Sequence, residues 1–459
     1  MEETPANLET AVEPPKVRRP NRFIQPQWAE LLEDDSFRRY WFMRLASHGA
    51  TNALTYTLLV LTVNLSASAI ATGILLLTLI VPSALLGAIA GVAVDRLPRG
   101  LILCVANVCR AGLVILLIGA KDSLPSLYAV ALCLSTVAQF AGPAESAVVP
   151  HIVRQGRLVA ANSVLQLGTL ATQVVGMLII APILLKTTNG DPLLFILALL
   201  FIFSAGMILL IPQFRFTTEG SRGLSIKVVR REFAESWIRL QRDPTSFLAL
   251  VLLVVTSVGT LIIATLLPKF ATHVLGIAPE NIVFVLAPVG VAIFLGLRSV
   301  EFLATRLNKL VVISGAYLIM ALSLALLGMV PPAGEALEAW NPIGVFDPGP
   351  LNQQTARIAA TIVFANMYGY SLTVVMTMGR VLLNERVPQE MQGRVFAAQT
   401  VLANLVAILP VAVSGLIADA VGVEPVLIVA GICALLAAAW SQARSSRVIP
   451  VEGVARGPA

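Results

Sequence analysis

An all-α membrane protein of twelve transmembrane helices, arranged as two six-helix pseudo-symmetric halves, is predicted by three observations. The first is composition. Of 459 residues, 57% are hydrophobic and only 13% charged, whereas a soluble domain carries about 25% charged residues. The second is the run length of the apolar segments, many of which reach the about 20 residues that cross a hydrocarbon core. The third is an internal repeat. Residues 156–165 read GRLVAANSVL and 393–402 read GRVFAAQTVL, identical at six of ten positions. A Val-Pro pair precedes each copy, Val149-Pro150 and Val387-Pro388, and both copies open an apolar segment. Duplicated parallel halves related by an axis along the membrane normal are an architecture of secondary transporters.

Residues 1–35 are polar and carry five prolines. They lack the apolar region of a secretory signal and read as a disordered or surface-lying cytoplasmic tail. The first half, 36–211, holds spans at 41–64, 69–94, 100–120, 124–144, 158–185 and 192–211. A charged linker, 212–245, follows, with an amphipathic helix expected from Ile226 to Gln241. The second half, 246–441, holds spans at 246–267, 281–300, 309–330, 357–383, 394–418 and 424–441, and 442–459 form a cytoplasmic tail. The one long loop at the opposite end, 331–356, is rich in Gly and Pro and is expected to cap that mouth.

Lys and Arg set the orientation. Most of the 32 basic residues fall at the end shared by both termini, against four (Lys121, Lys186, Lys269, Arg357) at the other. Both termini are therefore expected inside the plasma (inner) membrane. The net charge of +6 then reflects the anionic cytoplasmic lipid surface rather than a nucleic-acid partner. Cys104, Cys109, Cys133 and Cys433 lie in apolar runs and read as small packing residues, with no spacing for a disulfide or metal site. No nucleophile–base pair, phosphate loop or metal cluster is visible, so neither an enzyme nor a bound cofactor is expected.

After the second span the chain reads Gly87-AIA-Gly91-VAV-Asp95-Arg96-LP-Arg99-Gly100. Glycines four apart permit close helix approach, and an acid followed by two arginines sits at the membrane surface. The matching turn of the second half, Ala304 to Lys309, has Thr305 in place of the acid. The pattern at 91–99 resembles the signature loop of the major facilitator superfamily. The segments FAGPAESAVVPHIVRQGRLVAANSV and LLNERVPQEMQGRVFAAQTV resemble its drug-proton antiporter branch, which includes macrolide exporters and the enterobactin exporter. The resemblance covers about 36–441. It implies alternating access around a central cavity lined by spans 1, 4, 7 and 10, with the motif acid docking on span 11 to close the cytoplasmic side. Arg394, where helix dipole and charge are both positive, is the expected partner of Asp95. With Thr305 in the second half, gating is expected to be asymmetric.

Polar residues inside a bilayer are costly and usually face the bundle interior. Arg44, His48, Asn52 and Tyr56 form a stripe at four-residue spacing on span 1. Asn162, Gln166, Thr169 and Gln173 form another on span 5, and Asn366, Tyr370, Thr373, Thr377 and Arg380 a third on span 10. Thr256, Ser257 and Thr260 on span 7, and Gln139 on span 4, complete the expected lining of a wet cavity. Arg110 lies roughly 15 Å into span 3, where the resemblance implies an Asp three residues before it and this chain has Asn107. Arg110 is thus expected to pair elsewhere or to meet an anionic group, while Arg44 and Arg380 are expected to snorkel to the cytoplasmic edge. No Asp or Glu is expected at mid-membrane, with Glu145 placed at the cytoplasmic edge beside Arg96 or Arg99. His48 and Glu145 are the candidates for proton coupling, since an imidazole ordinarily titrates at about 6.5.

These features point to a monomeric secondary transporter among membrane lipids, using protons to export a small amphipathic neutral or anionic compound of the drug, macrolide or siderophore type. The missing mid-membrane carboxylate argues against a strictly cationic substrate. A lysophospholipid flippase-like carrier or another solute carrier working in uptake, and a non-transporting receptor or scaffold, are the alternatives.

Overall fold

The computed structural model describes residues 31–66, 68–153, 157–180, 191–212, 243–339, 350–387 and 389–448. Each of the twelve expected spans coincides with helix over most of its described residues. In chain order they are α1 (Asp35–Leu65), α2 (Ala69–Arg96), α3 (Arg99–Ala120), α4 (Leu124–Ile152), α5 (Leu158–Val174), α6 (Asp191–Leu209), α7 (Pro244–Lys269), α8 (Ile282–Arg306), α9 (Lys309–Gly328), α10 (Pro350–Arg386), α11 (Gln389–Val421) and α12 (Val423–Val448). Ten of these helices are long and apolar enough to cross a membrane on their own composition. The two that fall short are α1, diluted by its polar stripe, and α5, which passes into a π-helix at Val175–Ile180. The long 331–356 loop is partly helical, Val330–Ala339, and 340–349 lie outside the described residues, as do the N-terminal tail to residue 30, most of the linker (213–242) and the last eleven residues.

The chain starts helices where its capping residues sit. Asp34 accepts from the backbone N–H of Ser36 and Phe37 at 2.8 and 3.2 Å, Asp243 from Thr245 and Ser246, and Asn308 from Leu310. These bonds satisfy donors that the first turn of a helix leaves open.

Packing follows one scheme twice. In the first six helices α1 packs on α4, α5 and α6, α2 on α4, and α3 on α4 and α6. In the last six α7 packs on α10, α11 and α12, α8 on α10, and α9 on α10 and α12. Across the two sets, α2 packs on α7 and α11. Leu76 and Ile80, Val254 and Val258, and Ala403, Ala407 and Val411 form one buried apolar cluster on that seam. Large apolar side chains such as Leu116, Leu199, Phe294, Leu409 and Leu436 remain on the outer surface. A surface of that kind is stable in lipid and not in water.

Two glycine expectations meet different fates. A Cβ at Gly87 would touch nothing within 4 Å, so this motif glycine is not at a close helix contact. Gly91 lies outside the described side chains. The close approach is made instead by Gly176, whose added Cβ would stand 2.8 Å from the backbone oxygen of Gly49. There the π-helix of α5 meets α1 backbone to backbone.

Candidate functional site

The polar stripe of α1 begins one turn earlier than the sequence pattern suggests and converges with α3 and α4 on a single carboxylate. Glu145 is 7% exposed. Its Oε2 lies 2.8 Å from Nε2 of His48 and 3.7 Å from Nη1 of Arg44. The Tyr40 hydroxyl donates to the backbone oxygen of Glu145 at 2.8 Å. Arg110, also 7% exposed, acts on the same carboxylate electrostatically.

Arg110 is held by a chain of hydrogen bonds. Its Nη1 donates to Ser47 Oγ at 3.1 Å, Ser47 donates to Asn107 Oδ1 at 2.8 Å, and Asn107 Nδ2 donates to the Leu103 carbonyl at 2.9 Å. The guanidinium also sits 5.9 Å from the Phe201 ring centre on α6, a cation–π distance. Asn107 thus contributes an oriented amide where an acid was expected from the resemblance.

Two placements differ from the sequence reading. Glu145 does not pair with Arg99, which instead places Nη1 within 3.0 Å of the His151 ring and 3.3 Å from the Ala147 carbonyl. It stands inside α4, which runs on to Ile152, and faces His48 of α1. Arg44 does not snorkel; it turns toward Glu145, and its buried Nε has no hydrogen-bond partner. Tyr40 and Ser47 went unrecognised, although Tyr40 continues the four-residue spacing of Arg44 and His48.

The remaining expected cavity residues divide. Thr256 is 1% exposed and bonds to the Tyr317 hydroxyl on α9 at 2.6 Å, so it joins helices rather than lining a cavity. Thr260 lies 3.3 Å from the Tyr368 hydroxyl, Tyr370 donates to Ser299 on α8 at 2.9 Å, and Asn366 bonds back to Ile362. Tyr56 is buried in the core. Gln139 bonds back to Ser135, Asn52 and Thr377 are half-buried, and Asn162, Gln166, Gln173 and Arg380 are exposed. The side chains of Asp95, Arg96 and Arg394, expected at the cytoplasmic gate, lie outside the described residues. Their helices α2 and α11 do pack together.

A family model described as Major Facilitator Superfamily matches residues 40–409. No curated protein sequence matches the chain. Among solved structures, the nucleoside transporter NupG is 12% identical, with a TM-score of 0.66 over 89% of this chain and 98% of that one. A bacterial homologue of the iron transporter ferroportin in an inward-facing state is 16% identical, with a TM-score of 0.69 over 91% of this chain and all of that one. The peptide transporter PepTSo is 12% identical, with a TM-score of 0.65 over 91% and 99%. At these identities the likeness establishes the fold alone. The family match and the helical membrane architecture together show that this chain belongs to the Major Facilitator Superfamily, as an integral membrane transporter and not an enzyme.

Proposed function

We propose that the protein is a proton-driven exporter of small amphipathic neutral or anionic compounds, of the drug-proton antiporter branch, monomeric in the plasma (inner) membrane with both termini cytoplasmic. The observation that carries this reading is the pairing of the buried Glu145 with the half-buried His48, 2.8 Å apart. Ionisable groups held within a membrane bundle mark ion pathways. A proton reaching the pair makes its net charge one unit more positive, beside Arg44 on the same helix as His48. Protonation thereby changes how α1 and α4 attract one another, and these are helices of the expected cavity. Among the described residues no second acid pairs with Arg44 or His48, which favours neutral or anionic over cationic cargo.

A second reading is favoured by the charge balance of the same cluster. Arg44 lies 3.7 Å from the one carboxylate, and a second guanidinium, the buried Arg110, reaches the same stripe of α1 at Ser47. A proton bound there adds positive charge, so it raises affinity for an anion, and linkage makes the effect reciprocal. Anion and proton would then travel together, as in an uptake carrier.

The deciding experiment is transport in vesicles of both orientations under an imposed proton gradient, with a macrolide, a catecholate siderophore, a lipophilic cation and a lysophospholipid. Exchange of a neutral or anionic compound against protons is the expected outcome. Movement of an anion in the same direction as protons replaces export with uptake. Movement of the lysophospholipid alone removes the drug-type assignment.

A further inference from the structure

We infer that Asp419 is a positioning residue of the transport cycle, a latch that holds the two six-helix sets together at the bundle end opposite the termini. Asp419 stands in the last turn of α11. Its Oδ1 accepts from the backbone N–H of Ala69 at 2.8 Å and its Oδ2 from that of Ile70 at 3.1 Å. The Ser68 hydroxyl donates to Oδ2 as well. Lys269, the last residue of α7, donates Nζ to Asp419 Oδ1 at 2.8 Å and to the Ala418 carbonyl at 2.9 Å.

The first turn of any helix has open N–H donors and a positive dipole end. In α1, α7 and α9 a residue just before the helix fills that place. In α2 the local residue Ser68 accepts from Ile70 and Ala71 at 3.1 and 3.4 Å, and the carboxylate that completes the cap comes from α11. Lys269 brings α7 to the same point, and its charge meets both the carboxylate and the carbonyl end of α11. Gly415 permits the approach: a Cβ there would lie 2.9 Å from the Ala69 carbonyl oxygen. Below the latch the seam continues through Val411 to the bond between Asn404 and Ser83. At the same end, α1 also touches the turn Pro279–Asn281.

Opening this end requires Asp419 to leave α2. Ser68, Ala69 and Ile70 would then take water in its place, which the membrane surface supplies, so the latch is reversible. The latch requires only that the two sets alternate, and does not depend on cargo, coupling ion or direction.

The test is accessibility. Val411, 0% exposed, is replaced by Cys in a chain whose four native cysteines are Ser, and an impermeant maleimide is applied to each membrane face in turn. From the face bearing Asp419, labelling is expected to rise roughly ten- to hundredfold in Asp419→Ala, the range for losing charged hydrogen bonds. In Asp419→Asn the rise is expected to be smaller, because Asn still caps a helix but loses its charge against Lys269. Equal rates in Asp419→Ala and the parent overturn the assignment. Should Asp419→Ala fail to insert, Ser68→Ala removes the hydroxyl that donates to Asp419 across the seam; a several-fold rise is expected, on the same hydrogen-bond scale, and a parental rate overturns the latch.

Discussion

Glu145 is the residue on which most of the chemistry turns, because it brings together side chains from two helices that each look incomplete alone. Its carboxylate, buried and close to His48 and Arg44, is stable only while those partners remain, since an unpaired buried charge is strongly destabilising. Glu145→Gln is therefore expected to abolish proton movement linked to substrate while leaving the protein inserted, measured with a pH-sensitive dye in proteoliposomes. His48→Ala is expected to change the pH dependence of transport; an identical profile would remove His48 from coupling. Ser47 has a structural part, bridging Arg110 to Asn107. Ser47→Ala leaves both without that partner and is expected to cost about 1–3 kcal/mol, read as a lower unfolding midpoint in detergent.

At the scale of elements, backbone contacts between helices matter as much as the side chains they carry. The α1–α5 contact has Gly176 against the backbone of Gly49, where neither partner can move aside as a flexible side chain would. Gly176→Ala is expected to force the π-helix of α5 off α1 and to cost about 1–3 kcal/mol, the usual range for overpacking. An unchanged unfolding midpoint would mean that the π-helix relaxes freely. Alpha2 shows the same dependence on a neighbour: its first turn is completed by a carboxylate from α11, some 350 residues later in the chain. An isolated first half would lack that cap.

For the whole molecule, the two sets of helices pack by one internal scheme but do not carry one chemistry. The ion cluster of Arg44, His48, Arg110 and Glu145 sits in the first set. In the second, Thr256, Thr260, Tyr317 and Tyr368 form neutral hydroxyl contacts. The latch at Asp419 closes one end of the seam, and the expected Asp95–Arg394 pair belongs to the other. Asp95→Asn is expected to reduce transport without preventing insertion, and to expose the cytoplasmic end of the seam to labelling, opposite in direction to Asp419→Ala. Unchanged transport would remove Asp95 from the gate.

Fold class and span positions were legible in the sequence by itself, because each depends on local apolar run length and repetition along the chain, whereas helix ends were not: α4 runs to Ile152 and α10 starts at Pro350. The stripe Arg44–His48–Asn52 was legible for the same reason, being a spacing within one helix. Which residues meet across helices was decided only by the tertiary structure. Glu145 read as a partner of Arg96 or Arg99 until α4 was set against α1. Arg44 read as snorkelling until a carboxylate lay 3.7 Å away. Thr256 read as cavity lining until α9 presented Tyr317. Asp419 and Lys269 carried no signal, since a helix-end acid and a lone loop-side lysine are ordinary until they pair and the first turn of α2 from the other half meets the carboxylate. Local free energies are written along the chain, whereas the pairing of charges depends on distances that only packing sets.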